Sequence, residues 1–149
     1  MPDRDSDETA RALKPIVWTT TFEMGDGTVD AEHKQFIEIV NRLTASIRDR
    51  AEASMIAALC DEVVSHSESH FRNEEAAMAR YGYEDLEAHR RDHERLLADI
   101  ARASRALRDS ADHRTVIVNQ ALTIKELLLR HLFRRDVQYK SHFMASQRS

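Results

Sequence analysis

What the 149-residue chain lacks narrows its possibilities first. Three glycines and two prolines occur, all but Gly82 within the first 27 residues, so little after Gly27 would interrupt a helix. Strands are not expected. The single cysteine, Cys60, has no second thiol to pair with inside the chain. Nothing therefore points to an oxidising compartment, and a cytoplasmic location is expected. No apolar run approaches the ~20 residues of a membrane span, and the opening MPDRDSDETARALK is polar with no apolar stretch, so a soluble, unprocessed protein without a membrane partner is expected. The net charge of −4 arises from interspersed acids and bases, with no basic stripe to attract nucleic acid. Repeats and low-complexity segments are absent. The length fits one domain, enough to bury roughly 68 to 70% of the surface exposed by the unfolded chain.

What is present is helical periodicity in four stretches. GDGTVD supplies a turn with Thr28 or Asp30 as helix N-cap, after which His33, Phe36, Ile37, Val40, Leu43 and Ile47 recur at three and four. A second stretch runs through Leu59, Val63, His66, His70, Glu74, Ala77 and Met78 to Tyr81, with Gly82 placed as a left-handed C-terminal cap. The third carries Leu86, His89, His93, Leu96, Leu97, Ile100 and Leu107 and ends at a polar break, Asp109 to Asp112. The fourth carries Val116, Ile117, Ile124, Leu127, Leu128, His131 and Phe133. Short connections make the expected fold all-α, an up-down-up-down antiparallel four-helix bundle spanning residues 28–149. Residues 1–27 form an N-terminal arm, disordered at its tip and anchored by Ile16, Val17, Trp18 and Phe22. The connection near residues 49–54 has no clear punctuation.

Seven potential metal-binding side chains sit on these helices: His33, His70 with Glu74, His89 with His93, and His131 with Asp136. Imidazole and carboxylate together suit first-row transition metals, and four separate contributions point to four helices converging on one site. Residues four apart differ by about 40° around a helix and one turn along it, so His89 and His93 face one ion, as do His70 and Glu74. A carboxylate has two oxygens, so Glu74 could bridge two metals. His131 and Asp136 are five apart, which leaves them about 140° apart on a regular helix. A π-bulge between them is expected, since it would turn both inward.

One buried histidine is easily satisfied by hydrogen bonds. Seven such groups facing one another without metal would each cost roughly 1 to 3 kcal/mol or more. The remaining polar residues have blander readings. His66, one turn before His70, is read as a core or supporting residue, with a substitute ligand or proton relay as the alternative. His113 and His142 lie near helix ends and are expected in solvent. Glu75, rotated about 100° from Glu74, is expected to face water or pair with a basic residue. Cys60 is read as a small buried apolar group, with a redox role as the alternative, and Met78 as core packing.

The chain resembles the hemerythrins, specifically the single-domain bacterial type. The pieces that carry the likeness are Trp18 in the arm, VDAEHK around His33, HFRNEEAAM from His70, HRRDH from His89 and HLFRRD from His131. The resemblance implies two iron ions with an oxo or hydroxo bridge: His89, His93 and His131 on one iron, His33 and His70 on the other, Glu74 and Asp136 bridging both. This set falls one short of two six-coordinate irons, and the resemblance puts the vacancy on the iron of His33 and His70, where dioxygen would bind reversibly. Phe36, Phe71, Leu128 and Leu132 would line that position and keep it dry.

The implied function is reversible dioxygen binding for storage, delivery or sensing, not enzymatic catalysis. The expected partners are dioxygen and an unidentified recipient or signalling protein. A di-iron redox enzyme or redox sensor, acting on peroxide or nitric oxide or as an oxidase, is the alternative. Against the ferritin-like enzymes, no histidine here has Glu three residues before it. Against zinc hydrolases, no His-Glu-x-x-His occurs. A purely structural metal site is a third reading.

Overall fold

The computed structural model describes residues 13–23, 25, 27–110 and 113–132. Among these, four long helices and no strand occur: α1 (Gly27–Arg48), α2 (Ala53–Arg80), α3 (Leu86–Arg108) and α4 (Arg114–Arg130). A short 3-10 turn, Thr20–Phe22, precedes them. Each helix packs on the next and α4 returns to α1, closing an up-down-up-down antiparallel bundle. No helix of the described residues is long and apolar enough to cross a membrane.

The three-and-four spacing places one stripe of each helix inside. Leu43 and Ile47 of α1, Val63 of α2, Ile100 and Leu107 of α3 and Ile124 of α4 meet far from the histidines, almost wholly buried. Each such side chain contributes about 1.5–3 kcal/mol of apolar burial. Cys60 lies among them, and burial pushes its thiol up to about 11, so it stays protonated and serves as packing. Val116 departs from the expected stripe: it lies in the first turn of α4 and is exposed, while its neighbour Ile117 takes the inward position.

Two helix ends are built alike. At the end of α2 the Tyr83 amide donates to the Met78 carbonyl and the Gly82 amide to Ala79, with Gly82 at φ +67° as expected. At the end of α1 the Ala51 amide donates to Ser46 and the Arg50 amide to Ile47, with Arg50 at φ 55°. The second connection is thus the same motif made without glycine. The start of α1 differs from expectation. It begins at Gly27, so Thr28 and Asp30 lie inside its first turn, and the Asp30 carboxylate reaches back to accept from the Gly25 amide at 3.3 Å.

The described part of the arm, from Leu13, covers the seam between α1 and α4. Asn41 of α1 accepts from the Ile16 amide and donates to the Ile16 carbonyl, both at 2.8 Å. Lys125 of α4 donates to the Lys14 carbonyl at 2.7 Å. Leu13, Ile16 and Phe22 join the core, and Trp18 packs against it between Phe22 and the ammonium of Lys34. Val17 does not anchor the arm: with Ile16 turned to the core, its neighbour is 72% exposed. The expected disorder of the arm's tip concerns residues outside those described.

Candidate metal centre

At the other end of the bundle the inward stripes turn polar. His33 of α1, His70 and Glu74 of α2, His89 and His93 of α3 and His131 after α4 all point inward, none more than 4% exposed. The pairs four residues apart converge because a helix stacks them on one face. The backbone at His131 and Leu132 winds into a π-helical turn, where the bulge is expected to begin. Asp136 lies outside the described residues, as do Phe133 and His142.

Glu74 is the centre of the arrangement. Its Oε2 lies 3.2 Å from His33 Nε2 and 3.1 Å from His70 Nε2. Its Oε1 lies 3.0 Å from His89 Nε2 and 3.2 Å from His93 Nε2. His131 Nε2 is 3.7 Å from Oε2, while among the histidines its ring is nearest that of His93, at 5.1 Å between centroids. Two overlapping sets of ligand atoms result, His33, His70, Glu74 and His131, and Glu74, His89, His93 and His131, each set within 4.8 Å. Burial pulls the Glu74 carboxyl upward, but the imidazoles, His131 foremost, outweigh it and hold it well below the carboxylate range.

The hydrogen bonds on the far side of two rings test whether this cluster fits a metal. His70 donates from Nδ1 to Glu32 at 3.1 Å, and His93 donates from Nδ1 to Glu75 at 2.9 Å. A neutral ring that spends its proton there presents a lone pair at Nε2. For His93 that lone pair faces Glu74 Oε1, and Nε2 has no hydrogen-bond partner. For His70 it lies 3.0 Å from His33 Nε2 and 3.1 Å from a carboxylate oxygen. A lone pair and a carboxylate oxygen facing each other in a buried space, as at His93 and Glu74, repel, and a cation between them removes the repulsion. Gaps of 3.0–3.2 Å are also those between neighbouring ligands of an ion with bonds of about 2.1 Å. The donor set fits transition-metal binding.

Glu32 and Glu75 were not legible as supports. Each is next in sequence to an expected ligand, and that adjacency is the only signal the sequence carries. Glu75 does pair with a basic residue, accepting from Arg90 Nε at 3.1 Å, but it also grips His93 rather than simply facing outward. The correction follows from the α2–α3 seam, where a side chain about 100° from the inward face meets the outer edge of the next helix's histidine. Partial burial raises the Glu32 carboxyl, but hydrogen bonds from His70 and Asn73 and the charge of His70 more than reverse it.

His66 stands outside both ligand sets. Its ring stacks on His70, 2° from parallel, and its Nε2 meets the Glu32 carbonyl at 3.1 Å. Burial lowers its pKa despite that hydrogen bond. His113 is exposed.

Apolar groups close the centre on both sides. Phe71 stacks on His93 at 4.3 Å and Phe36 lies edge-on to His70 at 6.1 Å, and both belong, with the buried Leu128 and Leu132, to the large apolar cluster. Beyond the centre Met78 packs with Val29 and Tyr83 in a small separate cluster. The polar centre is therefore enclosed between two apolar layers.

Comparison with known proteins agrees with this construction. Residues 24–141 match the family model described as the hemerythrin HHE cation binding domain. A bacteriohemerythrin of Ralstonia nicotianae is 34% identical over 83 residues, 56% of this chain and 57% of that protein. The chain thus spans little more than half the length of that relative. A bacteriohemerythrin of Methylococcus capsulatus is 31% identical over 130 residues, 83% of this chain and 93% of its own. A hemerythrin-like protein of Naegleria gruberi is 27% identical over 126 residues, 85% of this chain and 92% of its own. The family match extends from just before α1 through the whole bundle and takes in every histidine of the centre, and the chain belongs to the hemerythrin family.

Proposed function

We propose that this chain binds dioxygen reversibly at a non-haem centre of two iron ions with an oxo or hydroxo bridge. The observation that carries this reading is the division of Glu74: His33 and His70 gather at one of its oxygens, His89 and His93 at the other. In this reading His33 and His70 would hold one iron, His89 and His93 the other together with His131, which belongs to both ligand sets, and Glu74 and Asp136 would supply the carboxylates shared between them. The iron pair, when bound, supplies two electrons and a vacant coordination position for dioxygen.

The chain's own residues govern the rest. Five imidazoles against few carboxylates make a nitrogen-rich set that tempers oxidising power and favours binding over oxidation of a substrate. Phe36, Phe71, Leu128 and Leu132 exclude water and competing anions from the vacant position. Family membership and the names of the relatives support a protein of the oxygen-binding type, and a role in storage, delivery or sensing rather than catalysis is part of the proposal. A cytoplasmic protein with a recipient or signalling partner is part of the proposal.

The test is the visible spectrum of iron-loaded, anaerobically reduced protein before oxygen, after oxygen and after purging with inert gas. A charge-transfer band that appears and then disappears is the expected result. A band that never forms, or irreversible passage to the oxidised spectrum, overturns reversible binding and points to a redox enzyme or sensor.

A further inference from the structure

We infer that Glu32 and Glu75 are positioning residues for His70 and His93, and that Arg90 makes the two supports unequal, leaving His70 the stronger electron donor. This rests on the reading that the clustered histidines bind metal.

The geometry is shared. Glu32 of α1 reaches across to Nδ1 of His70 on α2, and Glu75 of α2 reaches across to Nδ1 of His93 on α3. Each carboxylate thereby fixes one ring's rotation and tautomer and aims Nε2 at Glu74. Because each bond crosses a helix seam, it also ties a ligand to the neighbouring helix.

The second oxygen of each carboxylate differs. Glu32 Oε1 accepts from the neutral amide of Asn73 at 3.2 Å, and among the described residues no lysine or arginine pairs with it. Glu75 Oε1 accepts from the guanidinium of Arg90 at 3.1 Å. A carboxylate that accepts a ring proton pushes electron density through the imidazole to its other nitrogen, and a cation on that carboxylate draws some of it back. Arg90 is 44% exposed and also donates to Glu87 at 2.6 Å, so its withdrawal is partial. The metal position of His33 and His70 thus has the uncompensated support, and the position of His89 and His93 the compensated one.

Cobalt(II) uptake by the metal-free protein, measured in competition with a chelator, reads both binding steps without dioxygen chemistry. Glutamine still accepts from Nδ1 but carries no charge, so Glu32→Gln, Glu75→Gln and Arg90→Gln separate placement from charge. Glu32→Gln is expected to weaken one step by about 10- to 100-fold, and Glu75→Gln to weaken the other by less. Arg90→Gln is expected to strengthen the step that Glu75→Gln weakens. A merely structural ion pair would weaken it instead, and Arg90 lies on the surface, where its replacement leaves the fold intact. Wild-type affinities in both glutamate variants, or weaker binding in Arg90→Gln, overturn the inference. Uptake of fewer than two cobalt ions by the wild type overturns the two-metal reading beneath it.

Discussion

The two ends of the bundle solve opposite problems with the same four helices. At the far end Leu43, Ile47, Val63, Ile100, Leu107 and Ile124 fill the interior and nothing needs a partner beyond another apolar surface. At the near end five histidines and Glu74 fill it, with the imidazole nitrogens aimed at one carboxylate. Buried polar groups left unsatisfied cost about 1–3 kcal/mol each, so the near end draws its stability from what it binds. The far end's apolar burial does not depend on any bound ion. Fold and function are thus carried by different stretches of the same helices.

The largest expected effect comes from Glu74→Ala, which should lower metal content from two ions per chain to one or fewer by elemental analysis while the helical dichroism persists. Loss of the fold instead would mean that the two ends are not separable. Next, Leu107→Ala at the far end should cost about 2–5 kcal/mol in urea unfolding. It lies about 21 Å along α3 from His93, so metal-free and metal-loaded protein should lose the same amount. A loss confined to one form would join the two ends energetically. Leu128→Asn, at the boundary between the ends, should hasten decay of the oxygen-dependent band several-fold by admitting water. An unchanged half-life would remove Leu128 from the dry wall. The smallest effect is Arg50→Gly, which should raise stability by about 0.5–1 kcal/mol in thermal unfolding, because φ 55° suits glycine better than arginine.

Those variants also mark what could be read from the chain and what could not. Periodicity depends on one helix at a time, and it located the inward faces of all four, including the pairs His70 with Glu74 and His89 with His93. Gly82 announced the end of α2 through its own backbone freedom. Arg50 performs the same task at the end of α1 with no such signal, which is why that connection looked unpunctuated. Glu32 and Glu75 were missed for a different reason: their partners sit on other helices, and a spacing rule says nothing about what crosses a seam. Val17 and Val116 were misplaced because apolar character alone does not decide which of two neighbouring aliphatic residues turns inward.

The clasp of Asn41 on Ile16 sets a rule for the arm. Its two hydrogen bonds go to the backbone amide and carbonyl, groups that nearly every residue carries, so the clasp measures position and is blind to side-chain identity. Residues 17–26 must then bridge a set distance between a pinned point and the start of α1. Substitutions on the outer side of that span, at Val17 for example, leave the register untouched. A single inserted or deleted residue shifts it, and Ile16 or Phe22 is drawn out of the core. The stretch between Ile16 and α1 is tolerant of spelling and strict about length.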